Sequence, residues 1–307
     1  MSSNGILVID KPSGWTSHDV VGRVRRLLGE KSVGHLGTLD PMATGVLPLV
    51  LGRMTRLAQF YGDAIKAYEG EIRFGFATDT YDAEGERADV SGAVALETLN
   101  LDSIRAAAAK FVGPLEQVPP PFSAKKINGV PAYKLARKKV EVQLKGSQVE
   151  IKEFEVLDLV GDRARFRALV SSGTYIRAIA HELGQVLGTG AHLSALRRTM
   201  VAEFTQQDAR TLDQIEAAVH GATGLEDLLV HPRRVLPEMP SVTATEEQAN
   251  WIRNGRAVNL PETSRAKLIK VFVGQREIIA IMSRVAGTLF HPKAVLMGSN
   301  EPVASRG

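Results

Sequence analysis

One carboxylate stands alone in a stretch of the sequence that is otherwise uncharged. Asp40 is the only Asp, Glu, Lys or Arg between Lys31 and Arg53, and its neighbours are glycines, aliphatic residues and hydroxyl-bearing residues. A charge in apolar sequence generally has a partner or a reaction that compensates its desolvation. An ionised carboxylate held in position can act as a nucleophile or a general base. The spacing alone is equally compatible with a turn, because Asp-Pro dipeptides such as Asp40-Pro41 commonly begin one.

The rest of the sequence carries none of the familiar motifs for cofactors, metals or activated nucleophiles. It has no phosphate loop, no dinucleotide-binding glycine loop, no His-Glu-x-x-His pair and no Gly-x-Ser-x-Gly turn. The absence of cysteine excludes disulfides, thiolate catalysis and zinc-ribbon sites. Asp79 and Asp82 could be paired as the carboxylates of a glycoside hydrolase, but their Asp-, Glu- and Gly-rich surroundings are more typical of a solvated turn. We therefore predict no cofactor and no metal.

The composition is that of a globular protein with a slight excess of positive charge. Hydrophobic residues make up 44% of the 307 residues and charged residues 23%, which is ordinary for a soluble domain. The net charge of +4 permits a nucleic-acid partner without requiring one. No targeting signal and no run of about 18 apolar residues is found, so we expect a cytoplasmic protein without membrane contact. The basic clusters are Arg23/Arg25/Arg26, Lys125/Lys126, Arg137/Lys138/Lys139, Arg197/Arg198 and Arg233/Arg234.

The elements that must position Asp40 are both helices and strands. Apolar alternation and short apolar runs predict strands over 5–9, 46–51, 68–74, 149–160, 163–171, 268–273 and 277–282. Helical spacing with start and stop residues predicts helices between 16 and 29, over 55–61, 101–112 and 131–139, from 173–177 to 187, and over 212–219 and 245–254. Residues 119–129 are predicted to be a loop or a sheet edge, because three prolines preclude a helix. Pro232, Pro237 and Pro240 suggest a linker.

A set of motifs in a fixed order makes the sequence recognisable. They lie at 10–17, 34–48, 66–68, 122–126 and 172–177, and the last reads Ser172-Gly173-Thr174-Tyr175-Ile176-Arg177. Together they resemble the TruB family of tRNA pseudouridine synthases, which isomerise uridine 55 in the T loop. The resemblance covers roughly residues 5–235.

The resemblance implies an α+β pseudouridine synthase fold with a mixed, mainly antiparallel central sheet flanked by helices. It places a catalytic domain at 1–238 and a small, β-rich, RNA-binding PUA-like domain at 239–307. It implies that the partner is the T-arm stem-loop of tRNA, that no cofactor is needed, and that the chain is a monomer. Because the reaction loses no group and changes no oxidation state, the lack of cofactor motifs agrees with it.

The resemblance also assigns roles to individual residues. It makes Asp40 the catalytic residue and Arg177 the cation that keeps its carboxylate ionised, since a dry pocket would otherwise raise the pKa of Asp40. The other substrate-binding residues that it implies are Tyr68 stacked on the flipped uracil, Tyr175 and Leu196 lining the pocket, His35 in the space vacated by the nucleotide, and Arg56 on a phosphate.

Several of these residues have plain structural alternatives. Tyr68 could lie on a sheet face, Leu196 could belong to the core, and His35 could hydrogen-bond the backbone of its glycine-rich loop. Arg177 could be a surface arginine at the corner between a strand and a helix. We expect Lys11 and its neighbour Pro12 to support the site rather than to react.

The sequence departs from the family pattern at a few positions. Leu36 stands where threonine is more usual, Ser171 where cysteine is expected, and His181-Glu182 where a more acidic pair is common. Arg56 stands where lysine is common, which preserves a phosphate contact with a different geometry.

Two other functions fit the same motifs. The catalytic subunit of a guide-RNA pseudouridylation particle shares them, but it normally has lysine-rich extensions, whereas this sequence ends at Ser305-Arg306-Gly307. A non-catalytic RNA-binding or RNA-folding protein would use only the basic groove. A lone anion such as Asp40 contributes nothing to a phosphate-binding surface, so the enzyme is the leading hypothesis.

Overall fold

A computed structural model of the chain describes residues 4–88, 96–122, 126–127, 130–131, 145–221 and 224–297. The helices are α1 (Ser17–Leu28), α2 (Leu101–Ala108), α3 (Ile176–Val186), α4 (Leu212–His220) and α5 (Glu246–Arg253). Short 3-10 helices cover Gly52–Phe60, Leu96–Thr98, Ala109–Phe111, Leu225–Leu228 and Pro232–Arg234. The strands are β1 (Gly5–Lys11), β2 (Val33–His35), β3 (Thr44–Leu51), β4 (Lys66–Phe74), β5 (Ala77–Thr78), β6 (Arg87–Ala88), β7 (Gly113–Gln117), β8 (Lys126–Ile127), β9 (Val130–Pro131), β10 (Ser147–Val160), β11 (Arg163–Val170), β12 (Ala191–Val201), β13 (Phe204–Thr205), β14 (Ser241–Thr243), β15 (Val258–Asn259), β16 (Leu268–Val273), β17 (Glu277–Ala286) and β18 (Leu289–Val295).

A large mixed sheet forms the centre of the molecule. Among the described residues it has nine strands, in the order β1-β3-β12-β4-β11-β10-β7, with β2 beside β3 and β13 beside β12. The pair β3 and β12 is parallel, and the other neighbours are antiparallel. The helices α2 and α3 pack against β10 and β12. The predicted α+β class with a mixed, mainly antiparallel sheet is therefore confirmed.

Strand β1 is buried on both faces, which explains its uninterrupted apolar sequence. Successive side chains of a strand point to opposite faces of the sheet. Leu7 and Ile9 join the core beneath the helices α1 to α4, whereas Ile6 and Val8 join a second core that includes Phe272 of the C-terminal sheet. The two sheets are thus joined by shared apolar packing.

The C-terminal region is a small sheet with one helix against it. Its strand order is β14-β16-β17-β18-β15, and α5 packs on β17 and β18. Two polar contacts add to the shared core: Lys270 Nζ donates to the Val235 carbonyl at 2.8 Å, and Arg56 Nη1 donates to the Val295 carbonyl at 2.7 Å. The expected β-rich C-terminal region is confirmed, while the boundary between 238 and 239 stays a prediction.

Elements whose ends carry capping or turn residues lie close to where the sequence predicts them. Helix α1 has a reciprocal capping box between Thr16 and Asp19 and ends at Gly29, whose φ is 62°. Strands β10 and β11 meet at the predicted turn, where Gly161 has a φ of 61°. The predicted helix over 55–61 is a 3-10 helix, and α2 ends at Ala108, before the predicted 112.

One predicted helix lies almost entirely outside the described residues, and one central strand has no counterpart in the predictions. The helix predicted over 131–139 lies outside the described residues, except for Pro131, which ends strand β9. The central strand β12 was not predicted at all. Its adjacent residues Arg197 and Arg198 interrupt the apolar pattern. Their charges are tolerated there because each has partners that are distant in sequence.

Within the described ranges, no helix is long and apolar enough to cross a membrane.

Candidate active site

The Asp40 loop connects β2 to β3 and is held by close backbone packing. Gly45 has a φ of 101°, and a Cβ added there would lie 2.2 Å from the carbonyl oxygen of Arg198. Only glycine therefore allows β3 and β12 to approach at this point. The Ala43 amide donates to the Asp40 carbonyl at 3.1 Å. The backbone of Asp40 thus forms the turn that its sequence indicates, while its side chain remains available for chemistry.

Arg177 pairs directly with the Asp40 carboxylate. Its Nε lies 2.9 Å from Oδ2, and its Nη2 donates to Oδ1 at 3.1 Å. The Nε contact is an ion pair without an aligned hydrogen bond, so Nη2 provides the directional contact. The Arg177 side chain is only 4% exposed, whereas that of Asp40 is 34% exposed. Arg177 is therefore a buried partner and not the surface arginine of the alternative interpretation.

A second carboxylate and two carbonyls hold Arg177 in place. Its Nη1 donates to the Thr80 carbonyl at 2.9 Å and lies 3.2 Å from Asp82 Oδ2, and its Nη2 donates to the Phe122 carbonyl at 2.9 Å. Asp82 is itself buried and accepts from Thr80 Oγ1 at 2.6 Å. One guanidinium thus bridges the two carboxylates, and its orientation is fixed from both sides.

The prediction that Asp79 and Asp82 lie in a solvated turn is half right. Asp79 is exposed, and its Oδ1 accepts a hydrogen bond from the Glu86 amide at 2.8 Å. Asp82 is only 3% exposed, and the prediction is wrong there because Arg177, far away in sequence, compensates its burial. No local sequence signal separates the two residues.

Burial and charge act on Asp40 in opposite directions. Burial raises the pKa of Asp40, the Arg177 guanidinium opposes that shift, and the charge of Asp82 adds to it. Lys11 is fully buried nearby, and burial lowers the pKa of its ammonium to about 8. Its Nζ donates to the carbonyls of Pro12 at 2.8 Å, Trp15 at 2.6 Å and Pro41 at 3.0 Å. Its N–H groups are thereby used to hold the backbone beside Asp40, which agrees with the expected supporting role.

A cavity of about 240 Å³ opens beside Asp40. It is lined by Gly37, Thr38, Leu39, Asp40, Lys66, Tyr68, Ser172, Gly173, Thr174, Tyr175, Ile176 and Leu196. The structure thus brings together Asp40, Tyr68, Tyr175 and Leu196, which come from the β2–β3 loop, β4, the start of α3 and β12. A space of this size accommodates one nucleoside.

Tyr68 is a buried wall of this cavity. It is 7% exposed, and burial raises the pKa of its hydroxyl. The charge of the nearby Arg198 guanidinium opposes this rise in the pKa of Tyr68. Arg198 also donates to the carbonyls of Val46 at 2.8 Å, Thr38 at 3.3 Å and Gly37 at 3.0 Å. Arg198, which sequence reasoning saw only as part of a basic cluster, therefore joins the Asp40 loop to the central sheet.

His35 and Arg56 do not line the cavity. Nδ1 of His35 accepts from the Gly37 amide at 3.3 Å, and burial lowers the pKa of this imidazole. That contact is the backbone hydrogen bond of the alternative interpretation. Arg56 is exposed and contacts Val295 of the C-terminal sheet. The RNA contacts of both residues stay predictions.

The positions that depart from the family pattern have structural contacts. Ser171 Oγ accepts from the Glu150 amide at 2.8 Å, and Leu36 is buried in the second core. The His181 ring stacks on Tyr81 with centroids 3.7 Å apart, and Tyr81 has a φ of 66°. Because Tyr81 precedes Asp82, this stack fixes the segment that holds Arg177. The described residues contain no group of three or more His, Asp or Glu side chains arranged to hold a metal ion.

Comparison with known proteins identifies two matching family models. Residues 25–176 match the N-terminal domain model of the TruB family pseudouridylate synthases. Residues 177–238 match the C-terminal domain model of tRNA pseudouridylate synthase B. The boundary between the two models lies between Ile176 and Arg177. Asp40 and Tyr68 therefore fall in the first model, and Arg177 and Leu196 fall in the second.

Relatives match over nearly the whole chain. A tRNA pseudouridine synthase B from Solibacter usitatus is 47% identical over 296 residues, which are 95% of this chain and 100% of the relative. One from an Arthrobacter species is 42% identical over 312 residues, covering 97% and 98%. Among solved structures, a chain of a Cbf5-Nop10-Gar1 complex superposes with a TM-score of 0.71 at 25% identity, covering 96% of this chain and 85% of that one.

Proposed function

We propose, because the chain belongs to the TruB family of pseudouridylate synthases, that it isomerises uridine 55 in the T loop of tRNA to pseudouridine. The observation that carries this proposal is Asp40, which is paired with Arg177 at the wall of a nucleoside-sized cavity. The relatives named tRNA pseudouridine synthase B supply the substrate class.

The chemistry of the reaction fits the groups that are present. Pseudouridine formation breaks the bond between N1 and C1′, turns the uracil, and joins C5 to C1′. No atom is lost and no redox change occurs. Asp40 can begin the reaction by attacking C1′, attacking C6 or abstracting a ribose proton, and each route requires the ionised carboxylate. Arg177 favours that form against the burial that raises the pKa of Asp40.

The cavity requires that the uridine leave the stack of bases. A nucleotide stacked in a folded loop cannot reach a carboxylate at the wall of a cavity until it is extruded. In this proposal the uracil lies against the ring of Tyr68, with Leu196 and Tyr175 on the other walls. The Tyr68 hydroxyl then lies near the base and is a candidate for handling the proton at C5. His35, just outside the cavity, occupies the place of the extruded nucleotide.

The T-arm stem-loop is the proposed RNA partner. Arg56 is exposed at the junction with the C-terminal sheet and has further N–H groups for a phosphate. We assign catalysis to residues 1–238 and additional RNA contacts to residues 239–307. We further propose that the chain acts as a monomer in the cytoplasm, where tRNA is modified.

Modification mapping tests the proposal. Purified protein is incubated with an unmodified tRNA transcript, without guide RNA, nucleotide or metal, and pseudouridine is mapped along the transcript. We expect conversion of uridine 55 alone, with no effect of a chelator. A transcript with cytidine at position 55 is the control. Activity that depends on a guide RNA would favour the catalytic subunit of a pseudouridylation particle, and binding without conversion would favour an RNA-folding protein.

A further inference from the structure

Lys66 is a buried cation in the wall of the Asp40 cavity. It lies two residues before Tyr68 on β4, so the two side chains project from the same face of the sheet. Lys66 is 9% exposed and lines the cavity together with Asp40 and Tyr68. The functions assigned above make no use of it.

The contacts of the Lys66 ammonium leave donor capacity unused. Its Nζ donates to Ser172 Oγ at 3.2 Å and to the Ala64 carbonyl at 3.3 Å. An ammonium has three N–H donors, and the described residues offer no third acceptor. The described residues also offer no carboxylate within ion-pair distance of Lys66, because the Asp40 carboxylate of the same cavity pairs with Arg177.

Comparison with Arg198 shows that this arrangement is unusual. Both cations converge on Gly37, since a Cβ added there would lie 3.1 Å from Lys66 Cε and 3.5 Å from Arg198 Nη1. Arg198 donates hydrogen bonds to three backbone carbonyls, and each of its guanidinium nitrogens has an acceptor. Lys66 lacks such a set. Burial and the charge of Arg198 lower the pKa of Lys66 to about 8.

A buried cation of this kind is suited to an anion that enters the cavity. Burying an unpaired charge is costly, and a fixed donor in a dry site is most effective where negative charge develops during a reaction. Phosphates on the outside of an RNA can be bound by exposed side chains such as Arg56, which does not require the burial of a charge. The group that reaches Lys66 in a nucleoside-sized cavity is therefore the base.

We propose that Lys66 is a catalytic residue that donates a hydrogen bond to a carbonyl oxygen of the flipped uracil and stabilises the negative charge that develops there. The proposal rests on the proposed function. When the bond between N1 and C1′ breaks with its electron pair on the base, the charge is shared by O2 and O4. If Asp40 first attacks C6, the electrons of the C5–C6 double bond move to O4. In each route Lys66 keeps its proton, and the charge returns from the oxygen when the base is rejoined or protonated.

Replacing Lys66 with methionine, a side chain of similar length, tests the role. We expect Lys66→Met to lower kcat by about 10²-fold, the usual effect of one such donor, with the dissociation constant for tRNA unchanged. Lys152→Met is the matched control, because Lys152 is exposed and pairs only with Glu150 among the described residues. A weakened affinity with normal kcat would instead make Lys66 a phosphate ligand, and unchanged kinetics would also overturn the proposal.

Modified substrates test the same contact without depending on the folding of a variant. Sulfur is a poorer acceptor than oxygen, so 4-thiouridine and 2-thiouridine at the target position probe O4 and O2 separately. We expect one of the two thiouridines to lower the kcat of the wild-type enzyme. The same thiouridine should lower the kcat of Lys66→Met much less, because the sulfur and the methionine each remove the same hydrogen bond. Equal penalties in both proteins, for both sulfurs, would contradict the proposal. A wild-type enzyme inactive on the normal transcript would instead refute the proposed function itself.

Discussion

The molecule uses arginine–carboxylate pairs in two very different places. In the cavity, Arg177 lies between Asp40 and Asp82 and is 4% exposed. On the solvent face of the central sheet, Arg167 of β11 contacts Glu155 of β10 at 2.6 Å, with side chains 61% and 53% exposed. Arg163 and Arg165 of β11 make similar pairs with Glu71 of β4 and Asp158 of β10. The chemical groups are alike, and their surroundings differ.

The difference shows which surroundings suit a charged pair to catalysis. The exposed pairs are screened by water and salt, and each can be broken with water replacing the partner. In the cavity, the Arg177 side chain is only 4% exposed, and two carbonyls fix it from behind. A carboxylate there has a defined position and a shifted pKa, which are the properties that a reaction can use.

The largest expected effect is that of Asp40→Asn. The amide has nearly the same shape but cannot attack as an anion or act as a base, so we expect kcat to fall by about 10⁴-fold. Affinity for tRNA should be largely retained, because in the proposed function Asp40 contacts only the target nucleotide. Turnover is measured by pseudouridine mapping and affinity by filter binding. If binding disappears together with turnover, Asp40 is a structural residue.

Asp82→Asn should have the next largest effect. The change removes the second carboxylate from Arg177 while keeping an acceptor for Thr80 and for the backbone, so Arg177 should be less well held against Asp40. Carboxylates that orient the ligands of a metal ion contribute about 10- to 100-fold, and by analogy we expect kcat to fall by about 10²-fold. The matched control is Asp79→Asn, in the same turn but exposed, which should retain normal kcat. Equal losses in both variants would mean that the turn, and not the Arg177 contact, matters.

The pH dependence separates the two carboxylates further. Because burial raises the pKa of Asp40, activity should fall, as the pH is lowered, at a pH above that of an ordinary aspartate. The Asp82 charge contributes to this shift. Removing it in Asp82→Asn should therefore lower the pKa of Asp40 and move the acid limb of kcat to lower pH. A limb that moves to higher pH, or that moves equally in Asp79→Asn, would contradict this coupling.

The sequence contains a local signal for part of this arrangement. Asp40 is conspicuous because its neighbours are uncharged, and α1 could be bounded because Thr16 and Gly29 end it with local hydrogen bonds and backbone geometry. Asp82 had no such signal, since an aspartate in an acidic turn looks the same whether or not a distant arginine covers it. Its burial depends on Arg177, which a motif identifies but does not place in space.

Dependence on distant residues also explains why the sequence did not predict strand β12 or the burial of Lys66. A strand is recognised by apolar alternation, and Arg197 and Arg198 disrupt it because Asp10 and several carbonyls, all remote in sequence, compensate them. The burial of Lys66 without a carboxylate is a property of the folded chain, which composition and spacing do not encode. Sequence reasoning therefore finds the proposed reactive group more readily than the buried residues around it.

The smallest expected effect is that of Arg167→Gln on the exposed face. The pair with Glu155 lies in water on both sides, so its loss should leave the midpoint of thermal unfolding and the kcat for tRNA within the error of the wild type. Melting curves and turnover at low and high salt provide the measurement. A loss of tRNA affinity at low salt alone would show that this face contacts phosphates. Loss of kcat at both salt concentrations would contradict the comparison of the two pairs, because an exposed pair would then have the catalytic effect that is proposed only for Arg177 and Asp40.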